Sequence, residues 1–400
     1  MEKQHSPAKA LEVFRVFLKL GVTSFGGPIA HLGYFRTEAV QRRRWLEDQQ
    51  YADLVALCQF LPGPASSQVG FGIGLYRAGL RGAIAAFLGF TLPSAVLMAL
   101  FAYGASLFSG PVGQGLLQGL KIVAVAVVAQ AVLGMAKSLT PDAQRASVAV
   151  AAAAAVLLIG GTFGQVMAIA AGAAAGFFLF KNSASQRSLG LNFPVRRRFG
   201  LWCLATFVLL LFGLPLLAAS TGWVDLQLFD AFFRSGSLVF GGGHVVLPLL
   251  QSALVEPGWV TDQQFLAGYG AAQAVPGPLF TFAAYLGTLS TSGSGGILGA
   301  AIALAGIFLP GLLLLLGVLP FWNFLSTRPA AQAAMGGASA AVVGILAAAL
   351  YDPVFTSAVT GAEEFALALL CFLLLASWKL PPWIVVVVGA LGGVVVAIAS

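Results

Sequence analysis

The sequence predicts an all-α polytopic membrane protein: two inverted-topology repeats with re-entrant or broken helices, joined by a linker transmembrane helix. Three observations predict this fold class: an apolar composition, a set of repeated motifs, and a one-sided distribution of cations. Charged residues make up 9% of the 400-residue chain and hydrophobic residues 59%, and the mean hydropathy is +0.92. Soluble domains average about 25% charged and 45–50% apolar residues, so lipid must solvate most of this chain.

The net charge of +7 does not indicate a nucleic-acid partner. Lys and Arg mark the cytoplasmic side of membrane proteins, which accounts for a basic total. The three cysteines, Cys58, Cys203 and Cys371, lie in apolar segments without disulfide or metal spacing, so we predict no metal and no cofactor. Residues 1–20 carry scattered charges and no cleavage site, and we interpret them as a retained, cytoplasmic, amphipathic N-terminus that leads into the first repeat.

Internal duplication is the strongest organisational feature. Four landmarks recur in the same order at offsets of 214 to 217 residues, which apolar Gly- and Pro-rich sequence rarely produces by chance. We therefore predict a first repeat over 11–181, a basic loop and linker helix over 182–225, and a second repeat over 226–400. The paired landmarks are 25–27 and 240–242 (F-G-G), 45–50 and 259–264, 59–64 and 273–278 (P-G-P after a Gln), and 82–93 and 299–310.

Apolar runs of spanning length predict the transmembrane helices. They lie near 82–108, 113–136, 145–160, 163–180, 200–220, 297–320, 333–351, 364–378 and 382–399. Four other apolar stretches, 11–35 and 51–76 with their copies 226–252 and 263–288, are each interrupted by Gly or Pro.

The positive-inside rule predicts the orientation. Arginines flank the stretch 51–76 on both sides, so we expect it to enter and leave from the cytoplasm as a re-entrant hairpin; a single full crossing is the alternative. The linker span then reverses the second repeat, whose exposed loops should carry few cations. These loops carry Glu256, Asp262, Asp352, Glu363 and Glu364. The N-terminus is therefore predicted to be cytoplasmic and the C-terminus periplasmic.

The P-G-P motif predicts a broken helix that can bind an anion. Proline cannot donate an N–H and pushes the preceding residue out of the α region, so a helix must stop at Leu61–Pro64. A new helix can begin at Pro64, which leaves the N–H groups of Ala65, Ser66 and Ser67 unpaired. Such an end carries about half a positive charge and binds anions.

The second copy offers Leu279, Phe280 and Thr281 after Pro278, and Thr281 aligns with Ser67. In transporters with inverted repeats, helix breaks of this kind form the substrate site near the bilayer midplane. The alternative is that Gly and Pro only permit kinks and close packing.

The predicted substrate-binding residues are those of the breaks, their aligned glutamines and two aligned cations. Lys19 and Arg234 align at an offset of 215; both either reach the anion or extend to the interface. Gln59 and Gln273 either donate to the anion or join helices. The full set is Lys19, Phe25, Gly26, Gly27, Gln59, Gly63, Pro64, Ser66, Ser67, Arg234, Phe240, Gly241, Gly242, Gln273, Gly277, Pro278 and Thr281.

Two histidines and one further lysine lie near or within these segments. His31 and His244 follow the F-G-G breaks, and each is either a proton-coupling group or a packed neutral side chain. Lys121 lies inside a span near its outer end, and we interpret it as extending to the interface.

The F-G-G-P start, the P-G-P motif after a Gln and the duplication of both resemble the chromate ion transporter family of bacterial membrane proteins. The resemblance covers essentially the whole chain, although Gly243 stands where the first copy has Pro28. It implies a non-enzymatic exporter of chromate in the bacterial inner membrane, with sulfate as the isosteric alternative substrate. The oligomeric state stays open, with a homodimer among the alternatives.

Export of a dianion fits the membrane potential, since a dianion leaving a negative interior gains about 4.6 kcal/mol per 100 mV, equivalent to a gradient of more than roughly a thousandfold. Two other classes of membrane protein are alternatives to this interpretation. A membrane-embedded enzyme would need a catalytic cluster inside the spans, and none is evident in the sequence. A lipid-phosphate flippase would need a groove open sideways to lipid.

Overall fold

A computed structural model describes residues 7–25, 27–105, 110–159, 161–180, 193, 195–239, 245–322 and 328–399. Within these ranges the chain is helical and contains no strand, which confirms the all-α prediction. The helices are α1 (Pro7–Thr23), α2 (Gly27–Arg36), α3 (Asp48–Phe60), α4 (Ala65–Ala105), α5 (Pro111–Leu139), α6 (Ala143–Ile159), α7 (Gly161–Leu179), α8 (Arg197–Thr221), α9 (Val224–Ser237), α10 (Val246–Leu254), α11 (Asp262–Ala272), α12 (Phe282–Leu289), α13 (Gly296–Val318), α14 (Pro329–Ala349), α15 (Ala362–Ala376) and α16 (Pro382–Ala399).

Helix length and hydropathy agree with a multi-pass membrane protein. Five helical stretches of the described chain are long and apolar enough to cross a bilayer: Ala65–Gly104, Val112–Leu139, Arg197–Thr221, Gly296–Phe321 and Pro329–Ala358. Leu158, Trp202 and Leu216 are 86%, 73% and 73% exposed, as expected for side chains that face lipid. The predicted span at 82–108 is the second part of α4, which bends at Ala78 and Gly79 and runs on to Ala105.

Helices α3 and α11 begin at the repeated W-x-x-D-Q-Q landmark. The Glu47 N–H donates to Gln50 Oε1 at 3.1 Å, and the Thr261 N–H donates to Gln264 Oε1 at 3.1 Å. These are the reciprocal bonds of a capping box, which satisfies N–H groups that a helix start leaves unpaired. The landmark therefore fixes where each interrupted segment begins.

Each P-G-P segment folds back on itself as a helical hairpin. A Cβ at Gly72 would lie 2.7 Å from Leu54 Cδ1, so α3 packs on the first part of α4. In the second half Tyr285 packs on Gly268, and its hydroxyl donates to Gln264 O at 3.0 Å. Leu54 and Gly72 each lie nine residues from Gly63, and Gly268 and Tyr285 lie nine and eight residues from Gly277. Helix α3 is 13 residues long, about 20 Å, which is shorter than the roughly 30 Å hydrocarbon core.

The two halves pack through exchanged helices. Helix α5 of the first half lies against α16 of the second, where Gly119 contacts Gly389. Helix α14 of the second half lies against α7 of the first, where Gly337 contacts Gly172. Small residues let the backbones approach closely, which is how helices associate when lipid removes the hydrophobic driving force. Helix α8 lies at the periphery, and of its residues only Gly200, Cys203, Leu214 and Ala218 are buried.

Candidate functional site

Two buried helix breaks form the centre of the candidate site. Helix α3 ends at Phe60 and α4 begins at Ala65; between them Gly63 has φ +120°. The second break has the same form, with Gly277 at φ +96°. L-residues rarely adopt these angles, so glycine is required between the two prolines. The sequence prediction that the helices stop at both P-G-P motifs is confirmed.

Each P-G-P break is hydrogen-bonded to the residue just before the F-G-G motif of the other half. The Gly63 N–H donates to Val239 O at 2.7 Å, and the Gly277 N–H donates to Ser24 O at 2.9 Å. The two bonds correspond at offsets of 214 and 215 residues. The structure thus joins the interrupted segments of both halves in a reciprocal arrangement.

The packing around the two glycines is also reciprocal. A Cβ at Gly63 would lie 2.8 Å from Gly311 Cα, and a Cβ at Gly277 would lie 2.7 Å from Ser94 Oγ. Ser94 and Gly311 follow the aligned prolines of α4 and α13. The Gln68 amide donates both to Pro62 O at 3.0 Å and to Gly311 O at 2.9 Å, which ties the first break to α13 of the second half.

Buried polar atoms without a partner accompany the breaks. They include the Ser67 hydroxyl after the first break and the amide of the aligned glutamine before the second. Each such group costs about 1–3 kcal/mol when left unpaired, so a ligand that satisfied it would be bound favourably. The atoms are Ser24 Oγ, Ser67 Oγ, Thr91 Oγ1 and Gln273 Nε2.

The two breaks differ in the hydroxyl that follows them. Ser67 Oγ is buried and unpartnered, whereas Thr281 Oγ1 donates to Pro278 O at 2.8 Å. The Thr281 N–H is also bonded to Pro278 O, at 3.0 Å, because the chain forms a 3₁₀ turn over Leu279–Thr281 before α12. The two aligned hydroxyls are therefore not equivalent. Ser66 is buried beside Ser67 at the start of α4.

The aligned cations lie away from the buried breaks. Lys19 is exposed on α1, and the Arg234 side chain is 46% exposed. Arg234 binds Asp230 on its own helix at 2.8 Å, so its charge is already compensated. The pair lines a cavity of about 610 Å³ together with Glu256, and two carboxylates against one guanidinium disfavour an oxyanion there.

The other predicted site residues have varied surroundings. Gln59 is exposed, whereas Gln273 is half-buried. Phe25 contacts the ring of Trp383 on α16, with centroids 6.3 Å apart, and Gly27 begins α2 at φ +78°. His31 is 1% exposed and packs edge-on to Phe90 at 5.2 Å. Gly26, Phe240, Gly241, Gly242 and His244 lie outside the described residues.

A lysine of α5 lines a second cavity. Lys121 is 8% exposed and is therefore largely buried within the protein; its extension to the interface stays a prediction. It lines a cavity of about 800 Å³ formed by α5, α11, α12, α15 and α16. The signal in the sequence was an ionisable residue within an apolar span.

An ionic cluster lies where the first hairpin begins and ends. Arg43 and Arg77 each bind Glu12 at 3.1 Å, and Arg43 also binds Glu38 at 2.7 Å. Both guanidinium groups lie over Trp45, 5.4 Å from the ring centroid. Burial alone would raise the pKa of Glu38, but the hydrogen bonds and charges of Arg43 and Arg42 outweigh it and lower this pKa. In the described part of the chain, no three His, Cys, Asp or Glu side chains are grouped to hold a metal ion.

Comparison with known proteins gives one family, matched over two regions, and several relatives. The model of the family described as Chromate transporter matches residues 11–177 and again 226–394. A probable chromate transport protein of Synechococcus elongatus is 28% identical over 97% of this chain and 96% of its own length. A chromate transport protein of Pseudomonas aeruginosa is 28% identical over 86% and 81%. An uncharacterized transporter of Methanocaldococcus jannaschii is 28% identical over 81% and 79%, and no solved structure matches.

Proposed function

Because the chain belongs to the chromate transporter family, we propose that it is a secondary transporter that exports chromate from the cytoplasm across the plasma membrane of a bacterium. The oxyanion binds between the two halves, at the N-terminal ends of the half-helices that follow the P-G-P breaks. The observation that carries this proposal is the reciprocal pair of hydrogen bonds, from Gly63 to Val239 and from Gly277 to Ser24. A small opposing movement of the halves would change both breaks at once.

The chemistry of the breaks suits a tetrahedral dianion. A desolvated dianion needs several hydrogen-bond donors. The first turn of α4 offers the N–H groups of Ala65, Ser66 and Ser67, since a helix start lacks acceptors for them. The unpartnered Ser67 hydroxyl and Gln273 amide supply further donors. This set binds through geometry and dipoles and needs no cofactor.

We propose that the halves have opposite orientations, with the N-terminus cytoplasmic and the C-terminus outside. Support comes from the arginine cluster at the first hairpin, whose counterpart loops in the second half carry acids such as Glu256 and Asp262. Both hairpins are then re-entrant, since each folds back at its break. Reciprocal contacts between the halves are what a two-fold relation between them produces.

Chromate uptake into inverted vesicles, with and without a lumen-positive potential, tests the proposal. The potential should increase accumulation, because it reproduces the force on a dianion leaving a cell. Pro64→Ala and Pro278→Ala should each abolish uptake, whereas Pro141→Ala, in the exposed turn between α5 and α6, should not. Full transport by both break variants would remove the site assignment.

Competition by sulfate in the same vesicles identifies the substrate class. Chromate and sulfate share shape and charge, so a general oxyanion carrier would be inhibited by sulfate at concentrations similar to that of chromate. A chromate exporter would need a large excess of sulfate. Transport of a lipid phosphate in place of either anion would favour a flippase instead.

A further inference from the structure

We propose that Lys121 is a second anion-binding station, on the outer side of the breaks, where the oxyanion binds before release. The inference rests on the proposed function and adds a residue and a cavity to it. Lys121 is the eleventh residue of α5, about 15 Å along the helix from Pro111. It is buried to 8% exposure, yet its ammonium group has no carboxylate within 4 Å among the described residues. A buried unpaired cation is costly unless an anion accompanies it.

The cavity in front of Lys121 has the composition of a site for a small polar ion. Its volume is about 800 Å³, and polar side chains from four helices line it. The side-chain amides of Gln114 and Gln263 make no hydrogen bond to described residues, which leaves their N–H groups available. Other polar side chains on the wall are Gln118, Thr261, Gln264 and Tyr285.

One carboxylate shares the cavity. Glu364 lies in the first turn of α15, and its Oε1 accepts a hydrogen bond from the Thr360 hydroxyl at 3.4 Å. Its distance from Lys121 exceeds ion-pair range. An anion beside Lys121 would therefore share the cavity with a cation and a carboxylate that is not paired with it, an arrangement that favours release over tight retention.

The cavity lies along the second hairpin, at the end away from the break: its lining residues on this hairpin are Thr261, Gln263, Gln264, Ala267, Tyr285 and Leu289. Gly270 of α11 packs directly on the carbonyl of Leu120, the residue before Lys121. One turn further along α11 lies Gln273, whose Nε2 is buried without a partner, and the P-G-P break follows it. Leu120, the neighbour of Lys121 in the chain, thus packs on α11 three residues before Gln273.

The first half has a buried lysine at this position, and the second half does not. Gly119 and Gly337 occupy equivalent places at the interfaces between the halves, so Lys121 corresponds to Ser339. A cation present on one side of an otherwise reciprocal core makes the two sides of the pathway chemically different. In the proposed orientation Lys121 lies on the outer side, because α5 begins outside.

Sulfate binding to the purified full-length protein, measured by calorimetry, tests the role of Lys121. Lys121→Met should weaken binding at this second station at least about 30-fold, the lower bound for truncating one partner of a buried charge pair, and leave binding at the breaks in place. Lys121→Arg should stay within about threefold of wild type, and Glu364→Gln should bind equally or more tightly. Lys137→Met, at the other end of α5, should bind like wild type. Unchanged binding by Lys121→Met, in a variant that elutes and melts normally, overturns the proposal.

Cysteine labelling tests the side of the membrane. The native cysteines are buried, so Lys121→Cys supplies the reactive thiol. A membrane-impermeant thiol reagent should label it in right-side-out vesicles. Labelling from the cytoplasmic face alone overturns the outer placement. If wild type moves no chromate, the proposed function fails; if wild type transports and Lys121→Met matches it, only the present inference fails.

Discussion

Replacing Gly63 with alanine should disrupt the junction between the halves. The Cβ would lie 2.8 Å from Gly311 Cα and 3.0 Å from Gln68 Nε2, and the backbone contact cannot move away as a flexible side chain could. Gly63 also has φ +120°, which an L-residue adopts only under strain. Backbone strain costs about 1–3 kcal/mol and overpacking another 1–3 kcal/mol, so we expect a total of about 2–6 kcal/mol.

The matched control is Gly222→Ala. Gly222 also has a positive φ, +63°, at the end of α8, but a Cβ there would meet nothing within 4 Å. Only the conformational cost of about 1–2 kcal/mol remains. Comparing the two variants separates a strained backbone from a lost contact between halves.

Chromate uptake into inverted vesicles and thermal unfolding in detergent are the assays for both variants. Gly63→Ala should lose uptake and melt well below Gly222→Ala, which should transport normally. The reasoning is refuted if Gly63→Ala transports like wild type and melts no lower than Gly222→Ala.

Two further predictions concern the second break and the ionic cluster. Gly277→Ala should impair uptake less than Gly63→Ala, because its Cβ would meet the movable Ser94 Oγ at 2.7 Å; adding Ser94→Gly should restore part of the uptake, and no restoration would contradict the packing. The lowered pKa of Glu38 stabilises the fold above the usual value of 4.5, and this contribution is lost as the pH falls through the lowered value. Glu38→Gln should therefore reduce the melting temperature at pH 7, and its difference from wild type should shrink below pH 4.5; a constant difference would exclude the ion pair as the cause.

Much of the fold could be predicted because proline and glycine act locally. The ends of α3 and α11 follow from the missing N–H of proline, and the positions of the long spans follow from apolar length alone. The pairing of Gly63 with Val239 could not be read from the sequence, since it depends on how two distant halves pack. The inverted orientation stays a prediction.

The candidate site was predicted less well than the fold. Ser67 and Thr281 align, but the 3₁₀ turn at the second break redirects the Thr281 hydroxyl to Pro278 O. Arg234 could have been recognised as paired, because Asp230 lies four residues earlier on the same helix. The cavity beside Lys121 is formed by helices of both halves, and no local pattern shows it.

The most direct test of the account is an experimental density map of the protein with bound sulfate in a lipid nanodisc. We predict tetrahedral density within hydrogen-bond distance of the N–H groups after Pro64 or Pro278, between two halves of opposite orientation. Breaks that face lipid, halves that share one orientation, or an anion bound only beside Asp230 and Arg234 would contradict it.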